Sequence, residues 1–146
     1  MDDPSAARRR WRFYRTTAGS TPVRDFLTNS ALPASDRDEI LAVMKDVQVN
    51  GLAVSRHLRG DLYEVRATGA RASYRVLFAT EGASKVLLAV SAFSKKTPKT
   101  PPSEIATAER RLADWRSRRR ARLTHIWVRL AARGGNGEGR ARQTDR

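Results

Sequence analysis

The chain has 146 residues and a formal net charge of +14, with 29 lysines and arginines against 15 acidic residues. This length fits one domain with a modest core and a tail. Such a charge favours a polyanionic partner, which is RNA, DNA, an anionic membrane surface or an acidic protein. The chain contains no cysteine, which excludes disulfides, thiolate metal sites and a cysteine nucleophile. His57 and His125 lie in no ligand-spaced motif, so we expect neither a metal nor a cofactor.

The hydropathy pattern predicts neither a transmembrane segment nor an export signal. The most apolar stretch, 86–93, is much shorter than the roughly 20 residues that span a bilayer. The basic N-terminus lacks the apolar run of a signal peptide. We therefore expect a soluble cytoplasmic protein without a membrane partner.

Local signals predict one strand and two helices in the first third of the chain. A flexible arm, 1–8, precedes a strand of mixed aromatic and basic residues at 11–15. Thr21 and Pro22 are typical of a helix start, and a short helix follows them. A capping box at 35–38 predicts the start of a second helix, which should end at the Asn–Gly pair 50–51.

Three further strands are expected at 62–66, 73–80 and 85–93, because turn signals separate these runs. A third helix should start near Ser103 and end near Trp115. The predicted fold class is α+β, with an N-terminal strand and a two-helix hairpin packed on one face of an antiparallel sheet, followed by a C-terminal helix. We place the folded domain at 9–116 and a basic, partly disordered tail at 117–146, where nine arginines stand against two acidic residues.

Strand alternation predicts which side chains share a face of the sheet. The helices should pack on the face that carries Tyr63, Val65 and their apolar equivalents on the next strand. The opposite face should then display Glu64, Arg66 and Arg75 to solvent. Single charges on such a face are often only solvated, but the convergence of these three favours a site.

The end of the last strand adds an aromatic ring beside three lysines. Phe93 is followed by Lys95, Lys96 and Lys99. In a nucleic-acid site the ring stacks on a base while the lysines contact phosphates. The alternative is a core phenylalanine followed by a solvated loop.

Several segments together resemble phage-derived HigB-like toxins of the RelE/ParE superfamily. These segments are LRGDLYEVR at 58–66, YRVLF at 74–78, FSKKTPKTP at 93–101 and EIATA at 104–108. The resemblance covers about 10–116. It implies a RelE-like fold, a HigA-like helix-turn-helix antitoxin, a possible toxin–antitoxin heterotetramer and cleavage of mRNA on the ribosome. It carries over the catalytic residues Arg59, Glu64, Arg66, Arg75 and Lys95, and the RNA-binding residues Phe93, Lys96 and Lys99.

RNA cleavage without a metal uses the 2′-hydroxyl as nucleophile and needs a base, an acid and cations around the phosphate. Arg66 and Arg75 suit phosphate because guanidinium binds it bidentately, and Arg59 is a candidate third cation. Glu64 is either the base or an ion-pair partner that orients an arginine. We favour orientation, because neighbouring arginines stabilise the charged form of the carboxylate and so make it a weaker base. Lys95 is the alternative proton carrier, if nearby positive charge lowers its pKa.

Two other functions fit parts of the sequence. A ParE-type gyrase-poisoning toxin would share the fold without nuclease chemistry. A non-catalytic basic regulator that binds nucleic acid would need only the charge, although the sequence shows no convincing helix-turn-helix. The lysine-rich segment and the pair Arg66 and Arg75 favour the RNA-cleaving toxin.

Overall fold

The computed structural model describes residues 9–95 and 97–134. The predicted arm 1–8, the candidate Lys96 and the tail beyond 134 lie outside the described residues. The elements in chain order are β1 (Arg10–Phe13), α1 (Pro22–Thr28), α2 (Ala34–Asn50), a short 3₁₀ helix (Gly51–Val54), β2 (Arg56–Arg59), β3 (Leu62–Thr68), β4 (Ser73–Glu81), β5 (Val86–Lys95) and α3 (Pro102–Gly134). The predicted α+β class and the order of its main elements are confirmed.

The five strands form one mixed sheet in the order β1-β5-β4-β3-β2. The last four strands are antiparallel, which confirms the predicted arrangement of β3, β4 and β5, but β1 lies parallel to β5 at one edge. Parallel pairing needs a long connection, and here α1, α2 and three strands lie between β1 and β5 in the chain. Strand β2 was not predicted, because its sequence RHLR has no apolar alternation to mark it. It pairs with β3 along the other edge of the sheet.

Helices α1 and α2 pack on one face of the sheet and build the main core. From α2, Ile40, Met44 and Val47 are buried against apolar side chains of β3, β4 and β5. The indole of Trp11 donates a hydrogen bond to the carbonyl of Met44 at 2.8 Å and packs edge-on against Phe78. Each such buried side chain stabilises the fold by about 1.5–3 kcal/mol.

The start of α2 differs from the predicted capping box. The helix begins at Ala34 with Pro33 at its N-cap position, and no side chain caps it. Asp36 is instead buried and accepts hydrogen bonds from the Tyr74 hydroxyl at 2.5 Å and the Ala70 amide at 3.0 Å. The acidic residue therefore joins the helix to the turn between β3 and β4. A side chain at Gly69 would collide with it, since a Cβ there would lie 2.4 Å from the Asp36 carboxyl carbon.

The first turns of α3 lie on the opposite face of the sheet. Ser91 donates a hydrogen bond to Glu104 at 2.9 Å, and Arg111 donates to the Val90 carbonyl at 2.8 Å. Leu77 and Leu88, whose side chains share that face, are fully buried. The prediction that this face is open to solvent is therefore wrong over much of the sheet.

The third helix is much longer than predicted, because it continues past Trp115 to Gly134. Its second half is rich in arginine, alanine and leucine, which are strong helix formers, and Arg118 pairs with Asp114 one turn earlier at 2.9 Å. The chain divides after Ala113 into two compact units, 1–113 and 114–146. No helix of the described residues is long and apolar enough to cross a membrane. The boundary placed at 116 and the disorder of the tail beyond 134 stay predictions.

We expect Tyr74→Phe to lower the free energy of unfolding by about 1–3 kcal/mol, because the variant leaves the buried Asp36 without one of its donors. The hydrogen bond to Asp36, followed by burial, raises the pKa of Tyr74 to about 12 from 10.0. The folded state therefore favours the protonated phenol, and this contribution is complete below pH 10 and lost as the pH rises through about 12. Urea denaturation across this range should show the difference between wild type and variant shrinking. Tyr63→Phe is the control, and an equal effect of both changes would contradict the assignment.

Candidate active site

One buried carboxylate lies at the centre of a group of charged side chains on the α3 side of the sheet. Glu64 on β3 accepts a hydrogen bond from Arg66 Nε at 2.7 Å through its Oε1. Arg75 Nε lies 3.2 Å from the same oxygen, which is close enough for an ion pair although its direction does not meet hydrogen-bond geometry. The sheet produces this arrangement because Arg66 and Arg75 are register partners on β3 and β4. With Lys95 at the end of β5, these residues form what we call the charged cluster.

The loop between β5 and α3 closes over the charged cluster. The Thr100 hydroxyl donates a short hydrogen bond to Glu64 Oε2, and Arg75 Nη2 donates to the Pro98 carbonyl at 3.4 Å. Both oxygens of Glu64 are therefore engaged. Thr100 had no predicted role, since nothing in its local sequence pattern indicates that the loop folds back on the sheet. The prolines at 98, 101 and 102 predict only that the chain is interrupted between the last strand and the last helix.

The predicted solvent exposure of this face is wrong for two of its three charged residues. The side chains of Glu64 and Arg75 are 0% and 7% exposed, while that of Arg66 is 41% exposed. Alternation assigned all three to one face correctly, but it carries no information on what covers that face. Arg66 is therefore the member of this trio that solvent, or a ligand, reaches most directly.

Lys95 is buried without a counter-charge of its own. Its residue exposure is 6%, and within residues 9–95 and 97–134 its Nζ finds no hydrogen-bond partner. Burial, and then the positive charge of Arg75, lower the pKa of Lys95, while Glu64 opposes the shift. Burial also lowers the pKa of Arg75, with a further contribution from Arg66. The charged cluster thus holds three basic side chains around one carboxylate, an arrangement that an anion would complete.

The predicted RNA-binding residues lie near the cluster where the structure describes them. Phe93 on β5 is half-buried and is the register partner of Arg75. Lys99 is exposed in the loop and contributes to the lowered pKa of Lys95. Lys96 lies outside the described residues, so its predicted role stays a prediction. Ser94 and Lys95 also line a surface depression beside the turn between β3 and β4.

Two other basic residues of the sequence analysis have different partners. Arg59, predicted to be a catalytic cation, donates a hydrogen bond from its Nε to Glu109 of α3 at 2.6 Å, and this bond raises its pKa. His57 lies 2.7 Å from the Gly60 carbonyl and packs edge-on against Tyr63 on the α2 side of the sheet. No contact described in the structure brings either residue to the charged cluster.

The chemistry of the cluster follows from its donors. Two guanidinium groups and one ammonium group can bind a phosphate and stabilise negative charge that develops on it. Ammonium and guanidinium groups repel a metal cation, and the described residues contain no group of three or more histidine or acidic side chains that could hold one. Both oxygens of the single carboxylate, Glu64, already accept hydrogen bonds, so this group is suited to hold the arginines in position.

Comparisons with known proteins give concordant results. Residues 29–113 match the family described as phage-derived protein Gp49-like. A protein named probable endoribonuclease HigB1, from Mycobacterium tuberculosis strain CDC 1551 / Oshkosh, is 35% identical over 118 residues, which cover 78% of this chain and 90% of the relative. The protein of the same name from strain ATCC 25618 / H37Rv shows the same identity and coverage.

We expect Glu64→Ala to lower the free energy of unfolding by about 3–5 kcal/mol, because removal of the carboxylate leaves Arg75 and Lys95 buried without a counter-charge. Urea denaturation at neutral pH measures this loss. Glu109→Ala is the matched control, since it removes a carboxylate from the exposed pair with Arg59, and an exposed pair contributes little. Similar losses in both variants would show that Glu64 does not hold the cluster together.

Proposed function

Because the chain belongs to the family of phage-derived Gp49-like proteins, we propose that it is a HigB-like toxin that cleaves mRNA on the ribosome and so arrests translation. The name of the relative, probable endoribonuclease, supports cleavage of RNA. The observation that carries the proposal is the charged cluster, in which Lys95 is buried beside Arg66 and Arg75 and its Nζ has no hydrogen-bond partner in the part of the chain that the structure describes. The ribosome as the place of cleavage follows from the resemblance to HigB-like toxins.

In the proposed reaction, Arg66 and Arg75 bind the phosphate at the cleavage position. The adjacent 2′-hydroxyl oxygen attacks phosphorus and forms a 2′,3′-cyclic phosphate, and its proton passes to water. The bond from phosphorus to the 5′-oxygen breaks, and this oxygen takes a proton from the Lys95 ammonium. The neutral Lys95 amine then takes up a proton from water. The lowered pKa of Lys95 makes it a better acid than an ordinary lysine at neutral pH.

Glu64 has a positioning role in this scheme. Its two oxygens accept from Arg66 and Thr100, so neither is directed at a substrate hydroxyl. The carboxylate fixes the arginine in the orientation that phosphate binding needs. This supports the second of the two roles considered for Glu64 from the sequence.

We place the RNA chain across the exposed edge of the cluster. Arg66 is partly exposed and Lys99 is exposed, so both can contact successive phosphates. Phe93 is half-buried and can stack on a base. An antitoxin of the HigA type, with a helix-turn-helix, is the expected protein partner, and a heterotetramer the expected complex. Its contacting surface should be acidic, since it must block a basic one.

Induction of the gene in a bacterial host, with mRNA 5′ ends mapped, tests the activity. Wild type should arrest growth and produce new 5′ ends inside translated frames, and Arg66→Ala should abolish both. Arg66 is suited to this test because its side chain is partly exposed, whereas loss of the buried Arg75 would also destabilise the fold. Arg24→Ala is the matched control, since this exposed arginine lies on α1.

Two outcomes would contradict the proposal. Growth arrest with DNA breaks and no new 5′ ends would identify a gyrase poison. New 5′ ends that also form in ribosome-free RNA would remove the ribosome from the scheme while keeping the nuclease.

We expect Lys95→Met to make the protein more stable and less active. The variant removes a buried ammonium group that has no hydrogen-bond partner among residues 9–95 and 97–134, and it keeps the apolar length of the side chain. Because its folded-state pKa is lowered from 10.5, Lys95 reduces stability at neutral pH, and this effect fades as the pH rises towards 10.5. Urea midpoints at pH 7 and above, together with mapped 5′ ends, measure both effects. Lys99→Met, at an exposed position, should leave stability unchanged, and a Lys95→Met protein that is less stable than wild type would contradict the assignment.

A further inference from the structure

The second unit of the chain presents an apolar surface that the proposed nuclease site does not use. We call residues 114–134 of α3 the tail helix. It lies beyond residue 113, where the Gp49-like match ends. Five large apolar side chains within eight residues of this helix are exposed, and Trp127 is the most open of them at 70%. The five are Leu123, Ile126, Trp127, Val128 and Leu130.

Four of these side chains form one stripe along the helix. Ile126, Trp127 and Leu130 follow Leu123 at intervals of three, four and seven residues, which are the spacings of a single helical face. We call these four residues the apolar stripe. Val128 lies five positions after Leu123, about 140° around the helix axis, and so belongs to the far side.

Arginines lie along one side of the apolar stripe, and acidic residues are nearly absent from the tail helix. Asp114 is the one acidic residue in the sequence of the tail helix. Arg122 and Arg129 each lie one position before a leucine of the stripe, and Arg133 follows one turn later, so the three share an adjacent face. The tail helix contains seven arginines, which are Arg116, Arg118, Arg119, Arg120, Arg122, Arg129 and Arg133.

We propose that the tail helix lies flat on an anionic phospholipid membrane, with the apolar stripe inserted between headgroups and the arginines bound to lipid phosphates. An arginine-rich amphipathic helix with tryptophan and leucine on its apolar face is suited to this position. Tryptophan favours the boundary between headgroups and acyl chains, and long arginine side chains reach outward to the phosphates. The expectation of no membrane partner was based on the lack of a segment long enough to span a bilayer. Binding to the membrane surface needs no such segment.

The other partners that the charge allows fit the tail helix less well. RNA would neutralise the arginines but would leave Leu123, Ile126 and Leu130 in water. A second copy of the helix would bring seven arginines against seven, with one acidic residue on each side. An acidic protein would need an apolar groove of matching shape, whereas a lipid surface offers both chemistries along the whole helix. The inference is independent of RNA cleavage, because the tail helix contains no residue of the charged cluster.

Co-sedimentation of the full-length protein with vesicles tests the proposal. Vesicles of phosphatidylglycerol and phosphatidylcholine in equal parts should bind wild type, and pure phosphatidylcholine vesicles should bind it much less. The double variant Ile126→Gln/Leu130→Gln should lose affinity for the anionic vesicles by at least about tenfold. Val128→Gln is the matched control, with the same polar side chain on the far side of the helix, and it should change affinity by less than about twofold. Circular dichroism should show equal helical content in all three proteins.

Three results would overturn the proposal. The first is a wild-type protein that does not bind the anionic vesicles. The second is a double variant that binds them as well as wild type, since charge alone would then hold the helix. The third is a double variant that loses affinity for polyuridylate while keeping its vesicle binding, which would make the tail helix an RNA-binding element. In cells, the double variant should still produce the mRNA 5′ ends of wild type.

Discussion

The buried carboxylate of Glu64 is the constraint on which the candidate site depends. A carboxylate at 0% exposure needs positive partners, and Arg66, Arg75 and Thr100 provide its hydrogen bonds and ion pairs. These contacts join two neighbouring strands to the loop before α3. Glu64 thus positions Arg66 and Arg75 and also holds the loop that lies over them, so the geometry of the site and its local stability have one physical origin.

The cluster is not electrically balanced, and this imbalance links its stability to its proposed chemistry. Lys95 adds a third cation where only one carboxylate is present, and its Nζ has no hydrogen-bond partner among the described residues. Such a group opposes folding at neutral pH, because burial favours its neutral form. A bound phosphate would offset that effect. This excess of positive charge is the physical basis for the proposed binding of an RNA phosphate at the cluster.

The fold could be predicted where the sequence pattern is periodic. Helix α2, the three central strands and the order of the main elements follow from local sequence signals, and the shared face of Glu64, Arg66 and Arg75 follows from alternation. Strand β2 was missed because its residues do not alternate in polarity. The prediction of a capping box at the start of α2 was wrong, because Asp36 accepts its hydrogen bonds from Tyr74 and Ala70, which are far away in sequence.

The sequence by itself determined the fold class, the family resemblance, the basic charge and the shared face of Glu64, Arg66 and Arg75. Only the tertiary structure decided that Glu64, Arg75 and Lys95 are buried and that Arg59 pairs with Glu109. The physical reason is that alternation depends on neighbours along the chain, whereas burial depends on the segment that returns to cover a face. Here that segment is the loop with Thr100 and the first turns of α3, whose hydrogen bonds reach back to the sheet.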